Sequence, residues 1–426
     1  MKRALAICLL VVLAGCTVPG SLSDDGGVSG ELGTEDGYRY NESIAVDPSD
    51  GLNDSELDAV VGRSMARLEY MRGLEFTDDV NVSIVSRAEY RDDQPFDHNS
   101  THSLWNNQVW EGLFIVGENR DVSDVMNSTL GGAVLGYYEP GTGNIVIVSD
   151  SQTPKINRDT LVHELVHALQ DQQFGLDESP DTQDAQLARN GVVEGEANLL
   201  EDRYRSKCGN DWNCIEVVTG GTSGGGNIDR GLLDVILYPY VVGPTFVAAK
   251  EDAGGWDAID ALHEDYPTST EQVSNPSLYP GETPVNVTVA DRSNADWERF
   301  DHDPVADTVG AASIYVMFAD NGVVSGGDQY QHRASEGWGG DALVPYRNGD
   351  RYGYVWETAW DTQADAEQFL DAYRDLLKRH GATRDGDVYT VPESSPYGDA
   401  FRVTHEGTRV RIVNAPTVDA LDEIHG

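Results

Sequence analysis

The chain has 426 residues and a mass of 46.4 kDa, enough for two or three ordinary domains or one elaborated one. Its 73 acidic residues face 29 basic ones, for a formal charge of −44, and lysine occurs only at positions 2, 155, 207, 250 and 378. That balance excludes nucleic acid as a partner, because phosphate neutralisation needs clustered Lys and Arg. The acids are dispersed rather than gathered into one tail, a pattern that keeps a whole surface solvated in concentrated salt.

The first elements in chain order are export signals. Met1-Lys2-Arg3 is a short positive start, and the apolar run from Ala4 to Ala14 has the length of a signal-peptide core, too short to span a bilayer. It ends in Leu13-Ala14-Gly15-Cys16, which looks like a lipobox, so residues 1–15 are expected to be removed and Cys16 to be lipid-modified. Loss of Lys2 and Arg3 would take the charge from −44 to −46. The rest of the chain is then expected on the outer face of the cell membrane, held by lipid alone, with no later stretch read as a span. Cys208 and Cys214 suit a disulfide in that oxidising setting. The sequons at Asn41, Asn53, Asn81, Asn99, Asn127 and Asn286 permit glycosylation there.

Residues 16–50 are rich in Gly, Ser, Asp and Glu and read as a disordered acidic tether. Leu52 to Leu74 has helical spacing, and Val80 to Val85 alternates as a strand. Gly136 to Val148 reads as a hairpin turning at Pro140-Gly141-Thr142-Gly143. A helix capped by Asn157 or Asp159 follows and stops at Phe174-Gly175, and a second runs from about Ala185 to Arg205. Thr219 to Gly226 is a glycine-rich loop without the Lys-Ser/Thr of a phosphate cradle. Beyond residue 351 a strand, a helix, short strands near Val388, Phe401 and Val410 and a terminal helix predict an α+β subdomain over 336–426. Residues 51–335 are left as the main domain.

The first of the paired helices carries His163-Glu164-Leu165-Val166-His167. Residues i and i+4 share a helical face, so both imidazoles can reach one metal ion, with Glu164 beside them to take a proton from water. Two histidines leave a catalytic zinc one protein ligand short. The second helix offers that ligand in Val193-Glu194-Gly195-Glu196-Ala197, but Glu194 and Glu196 flank its apolar stripe on opposite sides and spacing does not choose between them. Either can instead be a solvated surface glutamate. Small residues at 195 and 197 would let the helix approach the metal.

These residues resemble a zincin of the glutamate-ligand type, the thermolysin and aminopeptidase N group. The resemblance implies an α+β zincin-like core: a mixed sheet with an edge strand, the HExxH helix and the glutamate helix. Aligning the Glu-Gly-x-Ala sequence of the aminopeptidases selects Glu194 as third zinc ligand beside His163 and His167, with Glu164 catalytic. Gly136-Tyr137-Tyr138 to Val148 is similar to the strand that holds extended substrate in such enzymes. The stretch between His167 and Glu194 is longer than in thermolysin-like enzymes. More widely, Leu57 to Arg91, Thr270-Glu271-Gln272 and Gly337-Trp338-Gly339-Gly340-Asp341 are similar to an exported lipoprotein family of halophilic archaea. The expected function is an extracellular, lipid-anchored zinc hydrolase of peptides or proteins. The alternative is a non-catalytic surface lipoprotein with a structural or vestigial metal site. Tyr204, Tyr238 and Tyr240 are candidates for stabilising an oxyanion. Trp338 reads as a core residue, and His302 and His332, lacking partners at ligand spacing, as surface residues.

Overall fold

The computed structural model describes residues 31–92, 100–130, 134–151, 153–215, 228–327 and 329–425. Cys16 and the Thr219–Gly226 loop lie outside them. The chain is α+β with several sheets. A short hairpin, β1 (Thr34–Glu35) and β2 (Tyr38–Arg39), leads into the first long helix, α1 (Asp54–Arg72). Asn53 starts α1 with a full capping box, its side chain taking the Glu56 N–H while Glu56 reaches back. The tether expected over 16–50 therefore does not extend through residues 31–50. Gly33 N–H donates to Glu69 of α1 at 2.9 Å, and Tyr40 stacks on Tyr70, so aromatic and buried polar contacts hold this segment on the helix.

Strand β3 (Asn81–Val85) is followed by α2 (Arg87–Asp92), α3 (Thr101–Gly112) and α4 (Val122–Leu130), and then by the hairpin β4 (Gly136–Glu139) and β5 (Asn144–Val148). The three strands form one sheet in the order β3-β5-β4, β3 parallel to β5 and β4 antiparallel at the edge. Its apolar face lies on α5 (Arg158–Phe174): Ile145 and Ile147 share a core with Leu161, Val162 and Leu165. Asn157, not Asp159, caps α5, and Gly175 at φ 77° ends it. The Tyr138 hydroxyl donates to Asp171 at 2.7 Å, which ties the edge strand to the same helix.

Helix α6 (Gln183–Lys207) packs beside α5 and against α7 (Arg230–Gly254). Cys208 and Cys214 beyond α6 are joined as a disulfide. Helix α7 was not legible in the sequence, because Pro239 and Pro244 ordinarily end a helix and here lie inside one. It corrects the reading that no later stretch suits a span. By length and composition α7 can cross a membrane, with mean hydropathy 1.6. In the fold it serves as a core helix, burying Leu232, Val235, Phe246 and Val247.

Helices α8 (Trp256–Glu264) and α9 (Thr270–Ser274), strand β6 (Glu298–Arg299) and helix α10 (Gly310–Asp320) precede the large sheet. That sheet comprises β6, β7 (Trp338–Asn348), β8 (Arg351–Trp360), β9 (Thr383–Asp385), β10 (Val388–Thr390), β11 (Ala400–Glu406) and β12 (Arg409–Ala415), with α11 (Gln363–Arg379) and α12 (Val418–His425) packed on it. The order is β6-β7-β8-β12-β11-β10-β9, antiparallel throughout. The expected boundary at 336 cuts this sheet, which begins at residue 298. One face of the sheet has its own apolar cluster with α12, including Val344, Val355, Val413 and Leu421, while the other joins a cluster that runs from Trp105 and Val109 of α3 through α7 and α10 to Trp356 and Phe369. Trp338 is buried as expected, its indole N–H on Asp341 at 2.9 Å.

With a charge of −44, self-repulsion opposes this compact state wherever it is unscreened. The Debye length is ~3 Å in molar salt and ~30 Å at 0.01 M. Circular dichroism is expected to show loss of helix on transfer from molar to ~10 mM salt. An unchanged spectrum would remove the salt-adaptation reading.

Candidate metal centre

Two helices bring three ligand atoms together. His163 and His167 stand on successive turns of α5, their rings edge to face with centroids 4.7 Å apart. Glu194 enters from α6 with Oε2 3.0 Å from His163 Nε2 and 3.3 Å from His167 Nε2. Two ligands each 2.0–2.1 Å from one tetrahedral ion are ~3.3 Å apart, so the separations fit zinc. Glu164 is at the same level of α5, and all four side chains are about 1% exposed.

Tautomers follow from the surrounding bonds. Gln170 uses its amide N–H groups on Val193 O (3.0 Å) and Glu196 Oε2 (2.8 Å), so its Oε1 is the acceptor for His167 Nδ1–H at 2.9 Å. The His167 Nε2 lone pair therefore faces the Glu194 carboxylate. This nitrogen is buried and makes no hydrogen bond, so two acceptors confront each other, an arrangement that a cation between them resolves. His163 Nδ1 lies 3.4 Å from Glu201 Oε2, giving the second imidazole its own outer carboxylate. Burial opposes charge on both His163 and Glu194. The neighbouring Glu194 and Glu201 carboxylates outweigh it and raise His163 to about 10.

The structure separates the two glutamates that spacing left open. Glu196 points away from the histidines and makes a buried ion pair with Arg72 of α1 at 2.5 Å, with His263 Nε2 2.7 Å away. Neither glutamate is solvated: both are buried, Glu196 among Arg72, Gln170 and His263 and Glu194 between the histidines and α7. Gly195 also has a different role from the one expected. A Cβ there would meet the Gly243 carbonyl at 2.6 Å, so the glycine brings α7, not the metal, close to α6. That approach delivers Tyr240, whose hydroxyl donates to Glu194 Oε1 at 2.9 Å. Of the other two tyrosines, Tyr238 bonds Thr270 O and Tyr204 bonds Arg67, both away from the centre. His302 is not an isolated surface residue: it stacks on Trp105 and its Nε2 lies 3.0 Å from His102 Nδ1. His332 accepts the Ala334 N–H.

Gln170, Glu201 and His263 were missed in the sequence. Gln170 is seven residues after His163 and Glu201 seven after Glu194, so each shares a face with a ligand, a signal that spacing alone can supply. His263 carries no such signal, since it comes from α8.

A protein family described as "Domain of unknown function (DUF8575)" matches residues 298–425, the part of the chain that forms the large sheet. No curated protein and no solved structure matches the chain.

Proposed function

We propose that this chain is an extracellular, lipid-anchored metal-dependent hydrolase acting on peptide bonds, with a zincin-like core of α5, α6 and the β3-β5-β4 sheet. The convergence of His163 Nε2, His167 Nε2 and Glu194 Oε2 carries this reading. These three residues would hold zinc, which supplies a Lewis acid and lowers the pKa of water towards ~7. Glu164, adjacent to His163, takes the proton of the attacking water and returns it to the leaving amine. Gln170 and Glu201 hold the imidazoles, and Tyr240 holds the far oxygen of Glu194. Strand β4 forms the edge of its sheet, where an extended peptide can add as a further strand. Metal content per chain and cleavage of an unstructured protein in molar salt test the reading together.

The near-complete burial of all four side chains favours a second reading, a structural metal site on a non-catalytic surface protein. Stoichiometric zinc without cleavage by the wild-type protein would select it. For the anchor, Cys16→Ser is expected to move the protein from the membrane fraction to the soluble one. A variant that stays membrane-bound after losing its signal would refute the lipobox.

A further inference from the structure

We infer that Arg63 and Arg67 of α1 form a buried anion site that takes chloride. The two residues stand one turn apart on the helix and are 2% and 1% exposed. Arg67 donates to the Tyr40 carbonyl at 3.0 Å, the Tyr204 hydroxyl at 2.9 Å, the Asn213 carbonyl at 3.1 Å and Cys214 Sγ at 3.6 Å, all of them neutral acceptors. Arg63 makes a single hydrogen bond among the described residues, from Nη1 to the same Asn213 carbonyl at 3.0 Å. Neither arginine has a carboxylate partner among the described residues, in a chain with 73 acids. Other buried arginines do: Arg72 is neutralised by Glu196 and Asp260, and Arg158 by Asp159.

The second observation is an orphaned donor. Arg63 Nε–H is buried and has no hydrogen-bond partner. Nε and Nη2 form the two-donor edge with which a guanidinium grips an anion, whereas the bond to Asn213 is made from Nη1. A buried cation without a counter-charge is costly, and a second one beside it adds repulsion. Burial and the adjacent Arg67 push Arg63 down to about 10. An anion on the Nε–Nη2 edge supplies the missing acceptor and neutralises one of the two charges, while Arg67 adds attraction from the next turn. Near-complete burial of both side chains excludes a peptide carboxylate or a sugar phosphate and leaves a small inorganic ion. The Cys208–Cys214 disulfide closes the loop whose Asn213 carbonyl is shared by the two guanidiniums, so the ion would help to hold that loop on α1. The site shares no residue with the His163 centre, and its test does not depend on the proposed hydrolase.

The test uses the full-length protein at constant molar ionic strength, with chloride exchanged for gluconate, an anion too large for the site. Thermal unfolding is followed as the chloride share rises. The unfolding temperature of wild type is expected to climb along a saturable curve, as it does for a ligand that binds the folded state. Arg63→Met keeps a long unbranched side chain but removes the charge, and is expected to lose the chloride-dependent rise. Arg63→Lys keeps the charge without the two-donor edge and is expected to need about tenfold more chloride. The lysine variant carries the test alone if the methionine variant does not fold. Crystals grown in bromide are expected to show an anomalous peak beside Arg63 Nε. The proposal is overturned if wild-type unfolding does not respond to chloride at constant ionic strength. A response of equal size in wild type and both variants would overturn it too, by placing the anion elsewhere. Bromide peaks confined to the exposed surface, an adventitious ion only, would do the same.

Discussion

Glu164→Gln is expected to leave zinc at full occupancy while hydrolysis falls by about 10²–10⁴-fold. The amide is isosteric with the carboxylate, so the packing of α5, where Glu164 is about 1% exposed, is preserved. What disappears is a group able to accept the proton of the attacking water. His163, His167 and Glu194 are untouched, which is why occupancy and activity should separate. Metal analysis of the purified variant beside wild type, and cleavage of an unstructured protein in molar salt, read the two effects. Activity that survives would remove Glu164 from the mechanism. Zinc lost with activity would make it a ligand or a structural support instead.

The two neighbouring glutamates of α6 are expected to fail differently. Glu194→Gln replaces a charged oxygen 3.0 and 3.3 Å from the imidazoles with a weaker neutral donor, so zinc occupancy drops. Glu196→Gln keeps zinc stoichiometry but destabilises the fold by about 3–5 kcal/mol, the cost of leaving a buried charge without its partner. Arg72 is that charge, and its second contact, with the half-exposed Asp260, places the loss towards the lower figure. Because Glu196 also holds Gln170, and Gln170 holds His167, zinc affinity should fall by about 10–100-fold without loss of the site. Metal content per chain and denaturant unfolding distinguish the two variants. Zinc lost from the Glu196 variant and kept in the Glu194 variant would reverse the assignment. Full occupancy in His163→Ala would end the metal-centre reading.

Local signals were enough for several parts of this protein. The 3.6-residue periodicity located α1, and a cap at Asn157 or Asp159 with Gly175 at the far end bounded α5 almost to the residue, because helix ends depend on groups within one turn. The apolar run from Ile145 to Val148 and the turn at 140–143 likewise marked the β4–β5 hairpin. The i, i+4 histidines were legible for the same reason: a helix by itself places them on one face.

Tertiary structure decided what depended on residues far apart in the chain. Spacing could not choose between Glu194 and Glu196, because that choice is made by Arg72 from α1 and His263 from α8, which claim Glu196 and leave Glu194 to the histidines. Tyr240 reaches the centre only because Gly195 and Gly243 let two helices approach, a packing event with no periodic signature. Helix α7 escaped notice because burial against α6 and α10 stabilises a helix that its two prolines disfavour locally. The boundary expected at 336 failed on the same grounds. Strand β6 and helix α3 belong with the C-terminal sheet through pairing and apolar contact, and neither is written in the residues around the boundary itself.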